Sequence, residues 1–232
     1  MAIEAKAKVA EYDSMPLNDS ALRLDPMPLS TRPLRRVPQL LGGLWLYGTS
    51  MAMQVRGGLG LNPWDVLHQG LSRRTGLSFG TITALTGVAV LLCWIPVRQR
   101  PGVGTVANVL MIAVSVDVTL AVLPAPSWLP ARMALLVAGV VLNGLATAVY
   151  LGTRLGPGPR DGLMTGVSAR TGLALRLVRT GIELTVLAAG WLLGGTVGVG
   201  TVLYALAIGP LTQTFLRLTV VPDTAREKAR RA

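Results

Sequence analysis

Long apolar runs alternate along this chain with short polar breaks rich in glycine, proline and arginine. The runs cover roughly residues 38–56, 77–97, 103–123, 133–151, 174–195 and 197–217. A helix needs about 18–20 such residues to cross a hydrocarbon core of about 30 Å, and these runs reach or approach that length. The pattern predicts an all-α membrane protein of six transmembrane helices. Two further segments break the apolar pattern in the same way. Gly57 to Pro63 leads into a short helix at Trp64–Ser72, and Gly152 to Pro159 leads into another at Arg160–Ser168. At about nine to twelve residues these helices are too short to span, so they are expected to be re-entrant or interfacial.

The rest of the chain divides around these runs. Residues 1–37 read as a disordered cytoplasmic tail, polar and interrupted by Pro16, Pro26 and Pro28. Residues 38–123 form a first membrane unit and residues 133–217 a second. A stiff proline-rich link, 124–132, joins them, with Trp128 at interfacial depth. Residues 218–232 are a basic cytoplasmic tail.

The two units are copies. A shift of 96 residues lays Leu59-Gly60 and Pro63 over Leu155-Gly156 and Pro159, and Asp65 over Asp161. It also lays Arg74-Thr75-Gly76-Leu77 over Arg170-Thr171-Gly172-Leu173, and Gly102-Val103-Gly104-Thr105-Val106 over Gly198-Val199-Gly200-Thr201-Val202. From residue 59 to 112 there are 20 identities in 54 positions without a gap. Apolar composition alone would not align aspartate, proline, arginine and glycine at one fixed offset. Three crossings per unit is an odd number, so the second copy is expected to enter the membrane upside down, giving two inverted three-helix repeats. Gly48 with Ala52, and their counterparts Gly144 with Ala148, are small-residue steps. They suggest that the first and fourth helices meet near the axis relating the repeats. Separate packing of each against other helices is the alternative.

Charge orients this arrangement and removes some function classes. The net charge is +11, but the basic residues collect at the ends of the apolar runs rather than on a soluble domain, so nucleic-acid binding is not expected. With the N-terminus inside, fifteen arginines and lysines fall on cytoplasmic flanks, among them Arg32, Arg35 and Arg36, and four fall outside. That bias predicts both termini in the cytoplasm of a bacterium with a multi-pass protein in its inner membrane. Cys93 is the sole cysteine and His68 the sole histidine, so no disulfide, cysteine cluster or His-rich metal site is expected, and no cofactor. The phosphate-binding GxxxxGK[ST] motif and the GxSxG, HExxH and CxxC motifs are absent, so the chain does not read as an enzyme.

The polar residues that interrupt the runs are the candidates for chemistry. Asp65 and Asp161 open the short helices, with Arg160 beside the latter. Two helix N-termini, one from each leaflet, would aim free N–H groups at a shared anionic ligand. The alternative is that the aspartates only cap their own helices. In the fifth run, Arg179 and Glu183 are four apart and can pair, with Arg176 on the same face. Ionisable groups at such depth face protein or a water-filled cavity. Asp117 in the third run has Gln213 as its repeat partner, two equivalent polar positions suited to structural hydrogen bonding or to a site. The candidate binding set is therefore Asp65, Asp161, Arg160, Arg179, Glu183 and Asp117.

The segments Gly60-Leu61-Asn62-Pro63-Trp64-Asp65-Val66-Leu67, Gly156-Pro157-Gly158-Pro159-Arg160-Asp161-Gly162-Leu163 and Val178-Arg179-Thr180-Gly181-Ile182-Glu183 together resemble the YczE-like bacterial integral membrane proteins. These are similar to the broader YitT-type family, and the resemblance covers about residues 38–217. It implies a transporter or a membrane accessory protein and brings no catalytic residues with it. The inverted repeat and the paired broken segments point to a small-molecule carrier for a polar, anionic solute. A non-transporting accessory or regulatory protein is the rival, and a lipid-modifying enzyme the least supported reading. The expected partners are the lipid bilayer and a small anionic solute. A chain of this size can form a homodimer, although no surface pattern demands one.

Overall fold

A computed structural model describes residues 27–221; the segments before and after, including most of both expected tails, lie outside the described residues. The described chain is helical, with no strand. Its helices are α1 Pro33–Gly57, α2 Pro63–Thr75, α3 Phe79–Leu92, α4 Trp94–Val97, α5 Val103–Val122, α6 Leu129–Leu151, α7 Pro159–Thr171, α8 Leu175–Leu192 and α9 Val199–Thr219. Each of the six apolar runs is a helix or, at 77–97, the pair α3 and α4. Both short segments are helices, each four residues longer than the expected bounds. The proline link is shorter than expected, because Leu129 and Pro130 already form the first turn of α6.

Four helical stretches are long and apolar enough to cross a membrane: Phe79–Val97, Val103–Val122, Leu129–Leu151 and Val199–Thr219. The other two expected crossings, α1 and α8, are helices of 25 and 18 residues, whose charged and amide side chains dilute the apolar run. In α1 the polar groups face protein. Arg36, Ser50 and Gln54 are all fully buried.

Local sequence sets the same boundaries in both halves. Pro63 and Pro159 stand at the first helical position, where a missing N–H costs nothing and φ is already helical. Gly76 and Gly172 end those helices in the left-handed region, at φ 73° and 72°, and their N–H groups bond back to Ser72 and Ser168. The first residues of α2, α3 and α5 all lie 96 positions before those of α7, α8 and α9.

The centre of the fold is the antiparallel pair α1 and α6. They cross at Gly43 and Gly139, themselves 96 apart. A Cβ at Gly43 would fall 2.9 Å from the Tyr150 backbone nitrogen, and one at Gly139 would fall 2.9 Å from Gln54. The helices expected to meet do meet, but not through the residues expected. Gly48 instead faces Ile112 and Ser115 of α5, and Gly144 faces Leu211 of α9, so each seats the long helix of its own half.

Two arginines clamp the ends of this pair. Arg36, at the start of α1, donates from Nε to the Thr153 carbonyl at 2.7 Å and from Nη2 to Arg154 at 3.3 Å. Its remaining bonds go to the carbonyls of Met27, Pro28 and Thr31. Arg132, at the start of α6, donates from Nε to Gly57 at 2.8 Å and from Nη2 to Gly58 at 2.9 Å. Arg132 lies 96 residues after Arg36, and Gly57 and Gly58 lie 96 before Thr153 and Arg154. Arg36, expected to flank the first run in solvent, is an interior staple instead.

The two halves are not packed alike. In both, the long helix packs mainly on the central pair, α5 on α1 and α9 on α6; but α3 also lies along α5, whereas the equivalent α8 lies along α2. Glycines explain the α2–α8 contact: Gly70 meets the Gly190 carbonyl, and Gly190 meets the backbone of Val66 and Leu67. The counterpart of Gly190 is Trp94, whose ring covers Gly162 of α7. A bulky residue therefore holds α3 off α7 where a glycine lets α8 close on α2.

This packing predicts that adjacent glycines in α1 respond differently to one methyl group. Gly42 has nothing within 4 Å of a built Cβ. Gly42→Ala should melt within a degree or two of the parent in detergent, and Gly43→Ala should melt several degrees lower, because α1 and α6 must separate. Equal melting of the two variants would contradict the crossing described.

Candidate functional site

A cavity of about 90 Å³ lies where the two half-length helices begin. That is room for several waters or for a ligand of a few heavy atoms. Both halves build it from equivalent positions. Asn62 and Gly158, Trp64 and Arg160, His68 and Met164, Thr83 and Arg179, Gly87 and Glu183, and Asn108 and Tyr204 are pairs 96 apart with both members in the wall. Tyr47 and Tyr150, packed edge to face at 6.1 Å, add aromatic surface from α1 and α6.

The approach to each short helix crosses to the other half before reaching the cavity. Gly60 and Gly156 have φ of 115° and 125°, a region open to glycine but strained for other residues. The Leu59 carbonyl accepts from Gly200 N at 2.8 Å, and the Leu155 carbonyl accepts from Gly104 N at 3.0 Å. Each approach loop thus docks on the first turn of the long helix of the opposite half. Trp94 Nε1 also donates to the Pro159 carbonyl at 2.9 Å, fixing the start of α7.

At the α2 end, Asn62 is the cap: its Oδ1 accepts from Asp65 N at 3.0 Å, and its Nδ2 donates to Asp65 Oδ2 at 2.6 Å. Asn62 rather than Asp65 is thus the N-cap, and Asp65 is a first-turn carboxylate that also faces other neighbours. Its carboxylate is fully buried. Asp65 Oδ1 lies 3.3 Å from His68 Nδ1 and 3.6 Å from Arg160 Nη2. Arg160 reaches across from α7 to lie over the Trp64 ring, 5.0 Å from its centroid. The start of α7 has no equivalent cap, because Gly158 stands where α2 has Asn62. Asp161 accepts a bond from the Tyr150 hydroxyl at 3.0 Å.

His68 is 1% exposed. Burial pulls its imidazole below the ordinary value, while hydrogen bonding to Asp65 opposes that and Arg160 reinforces it. Its Nδ1 also lies 3.3 Å from the Thr83 hydroxyl, which donates to the Phe79 carbonyl. Two acceptors flank Nδ1, so the ring proton sits there and Nε2 presents a lone pair. That Nε2 and the Trp64 Nε1–H are buried without a hydrogen-bond partner among the described residues.

The candidate residues thus separate. Arg160, Asp161, Arg179 and Glu183 line the cavity, and Asp65 touches it through Arg160 and His68. Arg179 Nε donates to Glu183 Oε1 at 2.9 Å, and the pair is partly open, with side chains 46% and 32% exposed. Asp117 stands elsewhere: it accepts from Gly80 N at 2.7 Å and from the Ser78 hydroxyl, holding the start of α3. His68, Trp64, Asn62 and the three tyrosines were not singled out by sequence pattern. The repeat alignment carried a signal for some of them, since polar or aromatic residues occupy both members of several pairs. Among the described residues no group of His, Cys, Asp or Glu could hold a metal ion.

Apolar helices arranged around a buried, polar, water-sized cavity define a helical membrane protein. The chain belongs to the family of unknown function DUF6198, which matches residues 34–217. It is 34% identical over 191 residues to the uncharacterized membrane protein YczE of Bacillus subtilis, covering 79% of this chain and 88% of that one. This places it among the YczE-like membrane proteins. An uncharacterized protein of Haemophilus influenzae is 40% identical over 201 residues, 86% of this chain and 92% of its own. The B. subtilis protein YyaS is 28% identical over 178 residues, covering 75% of this chain and 89% of its own. No solved structure matches.

The ion pair across the cavity predicts a non-additive response. Arg160→Gln leaves Asp65 buried without a countercharge and should lose about 1–3 kcal/mol of stability. Adding Asp65→Asn removes the stranded charge and should recover part of that loss. A double variant that melts lower than the single by the full cost of Asp65→Asn alone would show the two residues to be uncoupled.

Proposed function

We propose that the chain is a small-molecule carrier of the bacterial cytoplasmic membrane, built as two inverted three-helix repeats and binding a polar solute through an oxyanionic group. The observation that carries the reading is Arg160. Its guanidinium lies inside the cavity with an ion-pair contact and a ring beneath it, but with no hydrogen bond among the described residues. Five N–H donors in a fixed fork suit a carboxylate or similar oxyanion. The start of α7, with its uncapped N–H groups, adds positive potential at the same place.

Three further features support it. The antiparallel α1 and α6, with their paired arginine staples, are what an inverted repeat requires. In that arrangement α1, α3 with α4, α5, α6, α8 and α9 cross the bilayer, and α2 and α7 enter it only part way. Broken helices whose ends meet at a central site recur in carriers built from such repeats. The unequal packing of α3 and α8 leaves the cavity opening past α8, where Arg179 is the one exposed residue of the wall. Two copies held in different poses are the starting condition for alternating access.

Two experiments test this. In a Cys93→Ser background, a cysteine at Arg73 should react with an impermeant maleimide from the periplasm, and one at Arg170 only from the cytoplasm; labelling from one side would remove the inverted arrangement. In proteoliposomes with an imposed pH gradient, at least one small carboxylate of a screened panel should accumulate. Arg160→Gln should reduce that uptake at least tenfold. Accumulation unaffected by Arg160→Gln, or none at all with folded protein, would overturn the carrier reading.

A further inference from the structure

The cavity contains unmatched groups of both kinds, and they define the solute more narrowly. The free donors are the Arg160 guanidinium and the Trp64 Nε1–H; the free acceptor is His68 Nε2, since Asp65 Oδ1 is already engaged by His68 Nδ1 and Arg160. Trp64, His68 and Asp65 are each more than nine-tenths buried, so bulk water does not satisfy them. Leaving such atoms unpaired is costly, because the desolvation of each goes uncompensated. A simple anion would serve the donors alone. The acceptor calls for a second group on the ligand that brings hydrogens.

Charge decides what that second group is. Asp161 and Glu183 in the wall and Asp65 behind it, in contact with Arg160, supply three carboxylates, against the two guanidiniums of Arg160 and Arg179; His68 is neutral in its Nδ1–H form. The site already holds one excess negative charge. An anion would double it in a place of low dielectric, whereas a ligand with one charge of each sign leaves it unchanged. A hydroxyl could donate once, but an ammonium donates three times and carries the compensating charge.

We propose that the cavity binds a small zwitterion, an amino-acid-like molecule whose carboxylate is held by Arg160 and the Trp64 indole and whose ammonium is held by His68 Nε2, with the Asp65 carboxylate behind the imidazole as countercharge. The inference rests on the binding site of the carrier reading and does not require transport. The volume of about 90 Å³ limits the solute to a few heavy atoms, on the scale of glycine or alanine.

The sole histidine makes the test direct. Protein labelled with ¹⁵N-histidine in lipid nanodiscs gives one imidazole, so its tautomer and the state of Nε2 are read without assignment. Without ligand at pH 7, the spectrum should show the Nδ1–H tautomer. Titration with glycine should shift the Nε2 resonance saturably. Acetate, which lacks the ammonium, glycolate, which has only a hydroxyl, and methylamine, which lacks the carboxylate, should each bind at least tenfold more weakly. Trp64→Phe, which removes the indole N–H and keeps an aromatic ring, should weaken glycine at least tenfold while leaving the His68 tautomer in place. An Nε2–H tautomer would overturn the proposal, as would acetate or glycolate matching glycine, or no shift with glycine or alanine. Glycine binding without uptake in proteoliposomes would leave this inference standing and remove the carrier. Uptake of a simple carboxylate with no glycine binding would do the reverse.

Discussion

Backbone that leaves the helical path inside an apolar environment must find its hydrogen bonds in protein, because no water is there to supply them. This chain leaves that path twice, between α1 and α2 and between α6 and α7, and each time the other half of the molecule meets the need. Leu59 accepts from the first turn of α9, and Leu155 from the first turn of α5. Gly57 and Gly58 are served by Arg132, and Thr153 and Arg154 by Arg36. Neither half could place its own half-length helix alone. The cavity follows from this exchange, since two helices that start inside the protein bring their N-terminal residues to one place.

The staples also show how charge is tolerated at the ends of α1 and α6. Arg36 faces backbone carbonyls rather than a carboxylate, so no second charge has to be desolvated. The cavity uses the other solution, with carboxylates and guanidiniums in contact. Its pairs differ in kind. Arg179 with Glu183 is an exposed i, i+4 pair that contributes little to stability. Asp65 with Arg160 joins two elements 95 residues apart, and one partner is fully buried.

Much of this was legible in the sequence. Run lengths gave the helices, prolines and glycines gave the starts and stops of α2 and α7, and a fixed offset gave the equivalence of the halves. The candidates Asp65, Arg160, Asp161, Arg179 and Glu183 converge because the short helices begin where α8 passes. What escaped the sequence depends on which face of a helix meets which neighbour. Gly43 and Gly48 are equally small, and only packing shows that the first meets α6 and the second α5. Asp117 carries the same charge as Asp65 but is spent on the start of α3. His68 was set aside because one histidine makes no metal site, whereas its importance comes from the two acceptors beside Nδ1. The arginines at 36 and 132 read as membrane flanks, since a count of basic residues does not distinguish a solvated guanidinium from one that closes a loop.

The contact between Trp64 and Arg160 has a consequence for ancestry. The two residues occupy the same position of the repeated unit and meet at the centre of the molecule. In an assembly of two separate, identical chains related by a twofold axis, that position would have to face a copy of itself: ring against ring, or cation against cation. The same holds for Asn62 with Gly158, where symmetry would give two caps or none. Joining the copies in one chain lifts the restriction. Each member of a pair can then change alone, so α7 brings a cation and an open helix terminus to the cavity while α2 brings an indole and an imidazole. A pocket with two chemically distinct walls, able to orient an unsymmetrical guest, is something one chain can encode and a symmetric pair of identical chains could not.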